Sequence, residues 1–437
     1  MDATAAFRLT VGFLVLLVSG GYVGILAVDV SPREWNLIFH CTLGRIFGRK
    51  GESRCRGCLF SLDHTLIHTT VGRTPLDEGS AHRRDLYRTI QTLTRDKHPC
   101  ARFYSYAEPI VTPVTGPVEH GEGPHWDAET GVLFFVDISQ ELVNRYDPAT
   151  NKVTHAHFGE SVHKRILNPP GGGVSLVIPV QGTETQQLLT TRGHDVILFN
   201  WSYENATFDC SLNSKNFTVI ATVESNRNKA GNRWNDGKAD AKGRLWAGTM
   251  GPEPVVGSVT PDQGSLYLLQ AGNGPVVKVS PVSISNGLAW NKDNTLMYYI
   301  DTATGQVDVF DFNVDEATIA NRRKVFNLTE NRIAGHPDGM TIDSNGNLWI
   351  ACFDGSQVIN VDPDTGGLID AVPIPASRVT SVTFGGPSLD ILYVTTSRLG
   401  LSEEEKKQQP LAGSVFAVTG LGVSALAPAN NVIPPTR

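Results

Sequence analysis

Four short stretches place an oxygen-bearing side chain beside glycine just ahead of an apolar run. They are GEGPHWD with Glu122, NRWNDGKAD with Asn235 and Asp236, SISNGLAWN with Asn286, and GHPDGMTID with Asp338. An Asx residue beside glycine is ordinary turn chemistry, because its short side chain bonds the nearby backbone. Four such residues in phase around one fold can do more. Carboxylate and amide oxygens suit a hard cation such as calcium, magnesium or manganese. A few protein ligands leave coordination positions for water and substrate, as a catalytic ion needs. The NRWND cluster adds Arg233 and Lys238, which can donate to a polar ligand; a simple pairing of Arg233 with Asp236 is the plainer reading. Asp236 is either a further ligand or a turn-former, and Trp234 either stacks on a sugar face or packs into the core.

What must position these residues is a repeat. Turn-then-strand segments carry Leu133, Leu189, Leu245, Leu296, Leu348 and Leu392, at spacings of 56, 56, 51, 52 and 44 residues. Several are followed after a tight turn by a second strand, as in GQVDVFDFN and SQVINVDP. Six units of roughly fifty residues, each a small antiparallel sheet, predict an all-β, six-bladed β-propeller. In that fold the innermost strands line a central channel. Glu122, Asn235 with Asp236, Asn286 and Asp338 then precede the first, third, fourth and fifth strands and converge near the axis.

Composition agrees. The chain has 437 residues, 40% of them hydrophobic, with 43 Gly and 25 Pro, the mark of a turn-rich β fold. Against 44 acidic residues stand 37 basic ones, net charge -7, and no basic stripe appears, so nucleic acid is not an expected partner.

The N-terminal part differs in kind. Val11 to Val28 is an uncharged apolar run, so residues 1–29 read as a signal peptide or membrane anchor. The alternatives are a false start, leaving a cytoplasmic protein, or an apolar segment packed on the domain. Residues 30–105 read as a poorly structured extension holding Cys41, Cys55, Cys58 and Cys100. Cys55 and Cys58 with His64 and His68 are spaced too tightly for a usual zinc site, and disulfides are the other reading. The propeller spans 106–437. Sequons at Asn200, Asn205, Asn216 and Asn327 support a secreted or membrane-anchored glycoprotein, with the membrane reached only through the N-terminal segment.

The motifs GEGPHWD, NRWNDGKAD with GRLWAGTM, SISNGLAWN and PDGMTIDSNGNLWIACFDG occur in an order that resembles the regucalcin (senescence marker protein) family of the gluconolactonase group. The likeness runs from about residue 107 to 428. It implies one divalent metal ion on Glu122, Asn286 and Asp338, and substrate contacts from Arg233, Asn235 and, least distinctively, Glu253. It also implies metal-dependent hydrolysis of a small-molecule sugar lactone. The ion would polarise the carbonyl, and Asp338 would be the catalytic residue that accepts a proton from water. Calcium is the first expectation for the ion, with zinc, manganese and magnesium as the others. A calcium-binding regulatory protein and a hydrolase of organophosphate or aryl esters are the alternatives on the same site. His120, His125 and His336 lie beside the motifs and are candidate bases. His336 departs from the family, where an apolar residue usually precedes Pro-Asp-Gly, which bears on substrate range. Cys352, in a strand, reads as a small buried hydrophobe.

Overall fold

Asx turns set the rhythm of the strands. Asp127 accepts the amide of Glu129, Asp240 those of Lys242 and Arg244, Asn291 those of Thr295 and Leu296, and Asp343 those of Asn345 and Asn347. Each turn reverses the chain into an apolar strand such as Val132–Asp137 or Leu348–Phe353, covered on both faces. Asp240 and Asp343 each also accept an indole N–H, from Trp246 at 3.0 Å and Trp349 at 2.9 Å.

The computed structural model describes residues 108–159, 173–182, 187–202, 207–209, 217–270 and 272–434, together with three short N-terminal strands. Met1–Phe103 and Tyr104–Arg437 are two separate compact units. In the first, Leu14–Ser19, Tyr22–Ala27 and Thr42–Arg45 form an antiparallel sheet. The rest of residues 1–105, including the four cysteines and two histidines singled out there, lies outside the described residues, as do Asn205 and Asn216. No helix among the described residues is long and apolar enough to cross a membrane.

The second unit is a six-bladed β-propeller. Its inner strands are Gly121–Asp127, Val174–Pro179, Arg233–Ala239, Ser285–Trp290, His336–Ile342 and Arg378–Gly385. They touch in ring order, the sixth against the first. The ring is locked by Ile110–Pro113, which supplies the outer strand of the sixth sheet and pairs with Phe416–Thr419. Apolar clusters fill the wedges between blades. Trp349 packs edge-on against Phe384 between the fifth and sixth, and Trp126 stacks on Tyr393 between the first and sixth. Burying one large apolar side chain contributes about 1.5–3 kcal/mol, and dozens are buried here.

One detail corrects the sequence reading. The leucine-bearing segments are the second strands of their blades, one step out from the channel. The inner strands are the motif segments themselves, which sequence had placed in turns ahead of the strands.

A C-terminal strap crosses the far end of the channel. Ser424 accepts the amide of Ser344 and Ala425 donates to Leu389, after which Asn430 reaches Ala239 and Val432 pairs with Pro179 and Gln181. Between strap and inner strands lies a cavity of about 240 Å³ that reaches Asp236 and Lys238.

Candidate metal and substrate site

The inner strands owe their chemistry to bulges. In the first, third, fourth and fifth blades the register with the second strand gains one residue, between Glu122 and His125, Trp234 and Gly237, Ser285 and Leu288, and Pro337 and Met340. A bulge breaks the alternation of a strand and re-aims side chains. Asn235, Asp236, Asn286 and Asp338 lie inside these bulges and Glu122 at the edge of one. Glycine in the bulge also lets neighbouring strands close up. A Cβ on Gly287 would meet Met340 Cβ at 2.7 Å, and one on Gly339 would fall on the Ser381 side chain.

The polar groups are buried: Glu122 is 7% exposed, Asp236 5%, Asn286 3% and Asp338 7%. The Asn286 amide donates to Thr302 Oγ1 at 2.7 Å, and Thr302 donates in turn to the Pro337 carbonyl at 2.8 Å. That pins the ring of contacts between the fourth and fifth blades and leaves Asn286 Oδ1 facing Asn235, which donates to it at 3.1 Å and to the Ser285 carbonyl at 2.9 Å. Arg233 completes the chain, donating from one Nη to Asn235 Oδ1 at 2.8 Å. Its hydrogen bonds go to Asn235 and the Trp234 carbonyl, so the simple Arg233–Asp236 pairing does not form. Trp234 is 1% exposed, with its indole N–H on the His194 carbonyl, and belongs to the core, not to a sugar-stacking face. Glu253 sits on the loop after the next strand, half-buried, and accepts the Gly257 amide at 2.6 Å.

Electrostatics expose a conflict. Burial, then the nearby Asp236 charge, pushes the Glu122 carboxyl up to about 8, although the Gly123 amide and Arg233 pull it back. Asp338 is raised well above the usual carboxylate range by burial and by the Glu122 and Asp236 charges. Burial raises Asp236 too, against the pull of Lys238. Asp236 Oδ2 is buried without a hydrogen-bond partner. Three carboxyls that resist ionising together, one with an orphaned oxygen, fit a cation that would compensate them. Among the described residues no three His, Cys, Asp or Glu side chains gather into a metal cage by themselves.

The histidines divide. His120 is pushed down to about 3 by burial and by the Arg233 and Arg378 charges. His125 is bonded to Asn431 at 3.2 Å, with burial holding it at about 4. His336 is exposed at the start of its strand. Cys352 is fully buried, its thiol pushed up to about 12 by burial and Asp338. Sequence reasoning missed Thr302, which orients Asn286. The signal was present in the repeated ends of the second strands, Val136-Asp137 and Ile300-Asp301, whose aspartates tie down the segments before Glu122 and Asn286.

Residues 120–398 match the family described as SMP-30/Gluconolactonase/LRE-like region. Regucalcin of Xenopus laevis is 37% identical over 308 residues, covering 70% of this chain and 93% of that protein. A solved luciferin-regenerating enzyme superposes with a TM-score of 0.65 at 35% identity, covering 74% of this chain and 99% of its own. A protein of Agrobacterium tumefaciens described as a calcium-binding regucalcin shares the fold, with a TM-score of 0.60 at 22% identity over 76% and 97% of the two chains. The chain belongs to the SMP-30/gluconolactonase/LRE-like family.

Proposed function

We propose that the chain hydrolyses sugar lactones on this site, with a divalent cation, calcium foremost, held by Glu122, Asn286 and Asp338. The observation that supports it most is the continuous chain from Arg233 through Asn235 to Asn286, which couples a substrate clamp directly to a ligand. When bound, the ion supplies Lewis acidity at the lactone carbonyl and acidifies water. Arg233 keeps guanidinium donors for the carbonyl or ring hydroxyls, and Asn235 keeps a lone pair on Oδ1. Glu253 accepts from a hydroxyl. The Asp338 carboxylate takes the proton of the attacking water and returns it to the ring oxygen as the acyl C–O bond breaks, so that a hydroxy acid leaves.

The test is turnover of D-glucono-δ-lactone by chelated full-length protein with calcium, zinc, manganese or magnesium restored in turn, beside Asp338→Ala. Turnover that returns with metal and is lost in the variant supports the reading. A second reading is a calcium-binding regulatory protein, favoured by the regucalcin relative. Calcium binding without lactone hydrolysis by any ion would support it over the first. Passage through the secretory pathway is a separate part of the proposal, supported by the exposed sequon at Asn200. A mass unchanged by peptide N-glycosidase after expression in a secreting cell would count against it.

A further inference from the structure

The third blade departs from the first and fourth at one register position. Opposite Gly121 stands Asp137, whose carboxylate accepts the amides of Glu119 at 2.9 Å and His120 at 3.1 Å, just ahead of Glu122. Opposite Ser285 stands Asp301, which accepts those of Ser283 at 3.1 Å and Ile284 at 3.0 Å, just ahead of Asn286. Opposite Arg233 stands Met250, with no oxygen to offer.

A different carboxylate ties down this blade. Glu224 Oε2 accepts the Asn232 amide at 2.7 Å; Oε1 accepts Lys229 Nζ at 3.1 Å, Tyr267 OH at 3.0 Å and Thr249 Oγ1 at 3.2 Å. The Gln263 carbonyl takes second bonds from Lys229 Nζ at 2.7 Å and Asn232 at 2.8 Å. The Glu224 side chain is 4% exposed, and Asn232, the chain neighbour of Arg233, is fully buried. Glu224 itself has φ +53°, a left-handed backbone that a long side chain adopts only where its surroundings hold it. On the loop's other side, a Cβ on Gly231 would meet Pro252 Cβ and Cγ at 2.9 Å. The loop held by Glu224 therefore ends in Arg233 and abuts the neighbour of Glu253.

We infer that Glu224 is the positioning residue of the substrate clamp: through Asn232 and the loop 225–232 it sets Arg233 and, across Pro252, Glu253, in the lactonase reading above. A buried carboxylate with four donors resists displacement, since releasing it would leave several polar groups unpaired. Misplacing a clamp by about 1 Å can cost up to about 100-fold in rate.

The test compares full-length wild type with Glu224→Gln and with Asn232→Ala, which removes the two bonds from Asn232 to Glu224 and Gln263 and leaves the other donors on Glu224 in place. Three quantities are measured: lactone KM and kcat, calcium affinity by calorimetry, and hydrogen exchange along the chain. The expected result is a KM raised about tenfold with kcat changed less, and faster exchange confined to 225–236. Calcium affinity should stay within about twofold, because Glu122, Asn286 and Asp338 stand on other blades. Unchanged KM and exchange would overturn the proposal. So would calcium affinity falling in step with exchange that quickens in every blade, because that is a general loosening. If wild type turns over no lactone with any ion, the lactonase reading fails. Exchange and calcium affinity then still decide whether Glu224 holds this loop.

Discussion

Asn235 donates its side-chain N–H to Asn286 Oδ1 over 3.1 Å, so the third blade's clamp and the fourth blade's candidate ligand share one hydrogen bond. The same Asn235 accepts from Arg233, and no other side chain among the described residues bridges those two groups.

Asn235→Ala should therefore disturb both ends at once. It frees the Arg233 guanidinium to wander and strips a donor from Asn286. Hydrogen bonds to charged groups contribute about 1.5–3 kcal/mol, so kcat/KM for the lactone should fall about 10- to 100-fold. Thr302 still holds the Asn286 amide, and calcium affinity should weaken by about tenfold at most. Steady-state kinetics beside calorimetry checks this; a kcat/KM equal to wild type would show that the bridge is idle.

The raised carboxyls predict how the calcium-free protein responds to pH. Glu122 is held at about 8 against an ordinary 4.5, and Asp236 and Asp338 shift in the same direction. Between those values the folded chain keeps protons that the unfolded chain has released. Their contribution to stability is thus complete below about pH 4.5 and is lost as pH rises through about 8. Calcium-free protein should melt at falling temperature across that window. Saturating calcium should flatten the fall, with proton release on binding. Melting curves that are level or rising without calcium would contradict the arrangement.

Asp338→Asn removes one of three mutually repelling carboxyls at nearly constant shape. Without calcium the variant should melt above wild type. With calcium at a hundredfold excess over Kd, wild type should gain about 2.7 kcal/mol and the variant almost none. A variant less stable than wild type in both conditions would mean that Asp338 is compensated by a group other than a cation.

The repeat was legible because four of the blades restate one local rule, an Asx turn followed by an apolar second strand, and neither depends on distant contacts. The expectation that Glu122, Asn286 and Asp338 converge near the axis came from that periodicity. The inner strands themselves were hidden, because the Gly and Pro of GEGP and PDGM depress β propensity and the bulge breaks period-two alternation. Trp234 was ambiguous for the same reason: one extra residue reverses the face on which a side chain emerges. Glu224 left no mark in sequence, and Thr302 only the repeated strand end Ile300-Asp301 just before it. Their partners lie in other strands, at separations such as the 43 residues between Glu224 and Tyr267, and only packing brings them together.

Close approach of the inner strands at Gly339 gives the last prediction. A methyl there would fall on the Ser381 side chain, which is 2% exposed and has no room to swing away. Gly339→Ala should therefore overpack the channel wall and lower stability by about 1–3 kcal/mol. Because Asp338 precedes it in the same bulge, calcium affinity should fall with it. Ser381→Gly costs about 1 kcal/mol alone through backbone freedom, yet it removes the two nearest obstructing atoms and leaves only the backbone Cα, at 2.7 Å. The double variant should consequently be more stable than Gly339→Ala, a coupling that denaturant melts of the four proteins can measure. Strictly additive losses would mean that the fifth and sixth inner strands separate to admit the methyl, and that glycine is not what draws Asp338 to the axis.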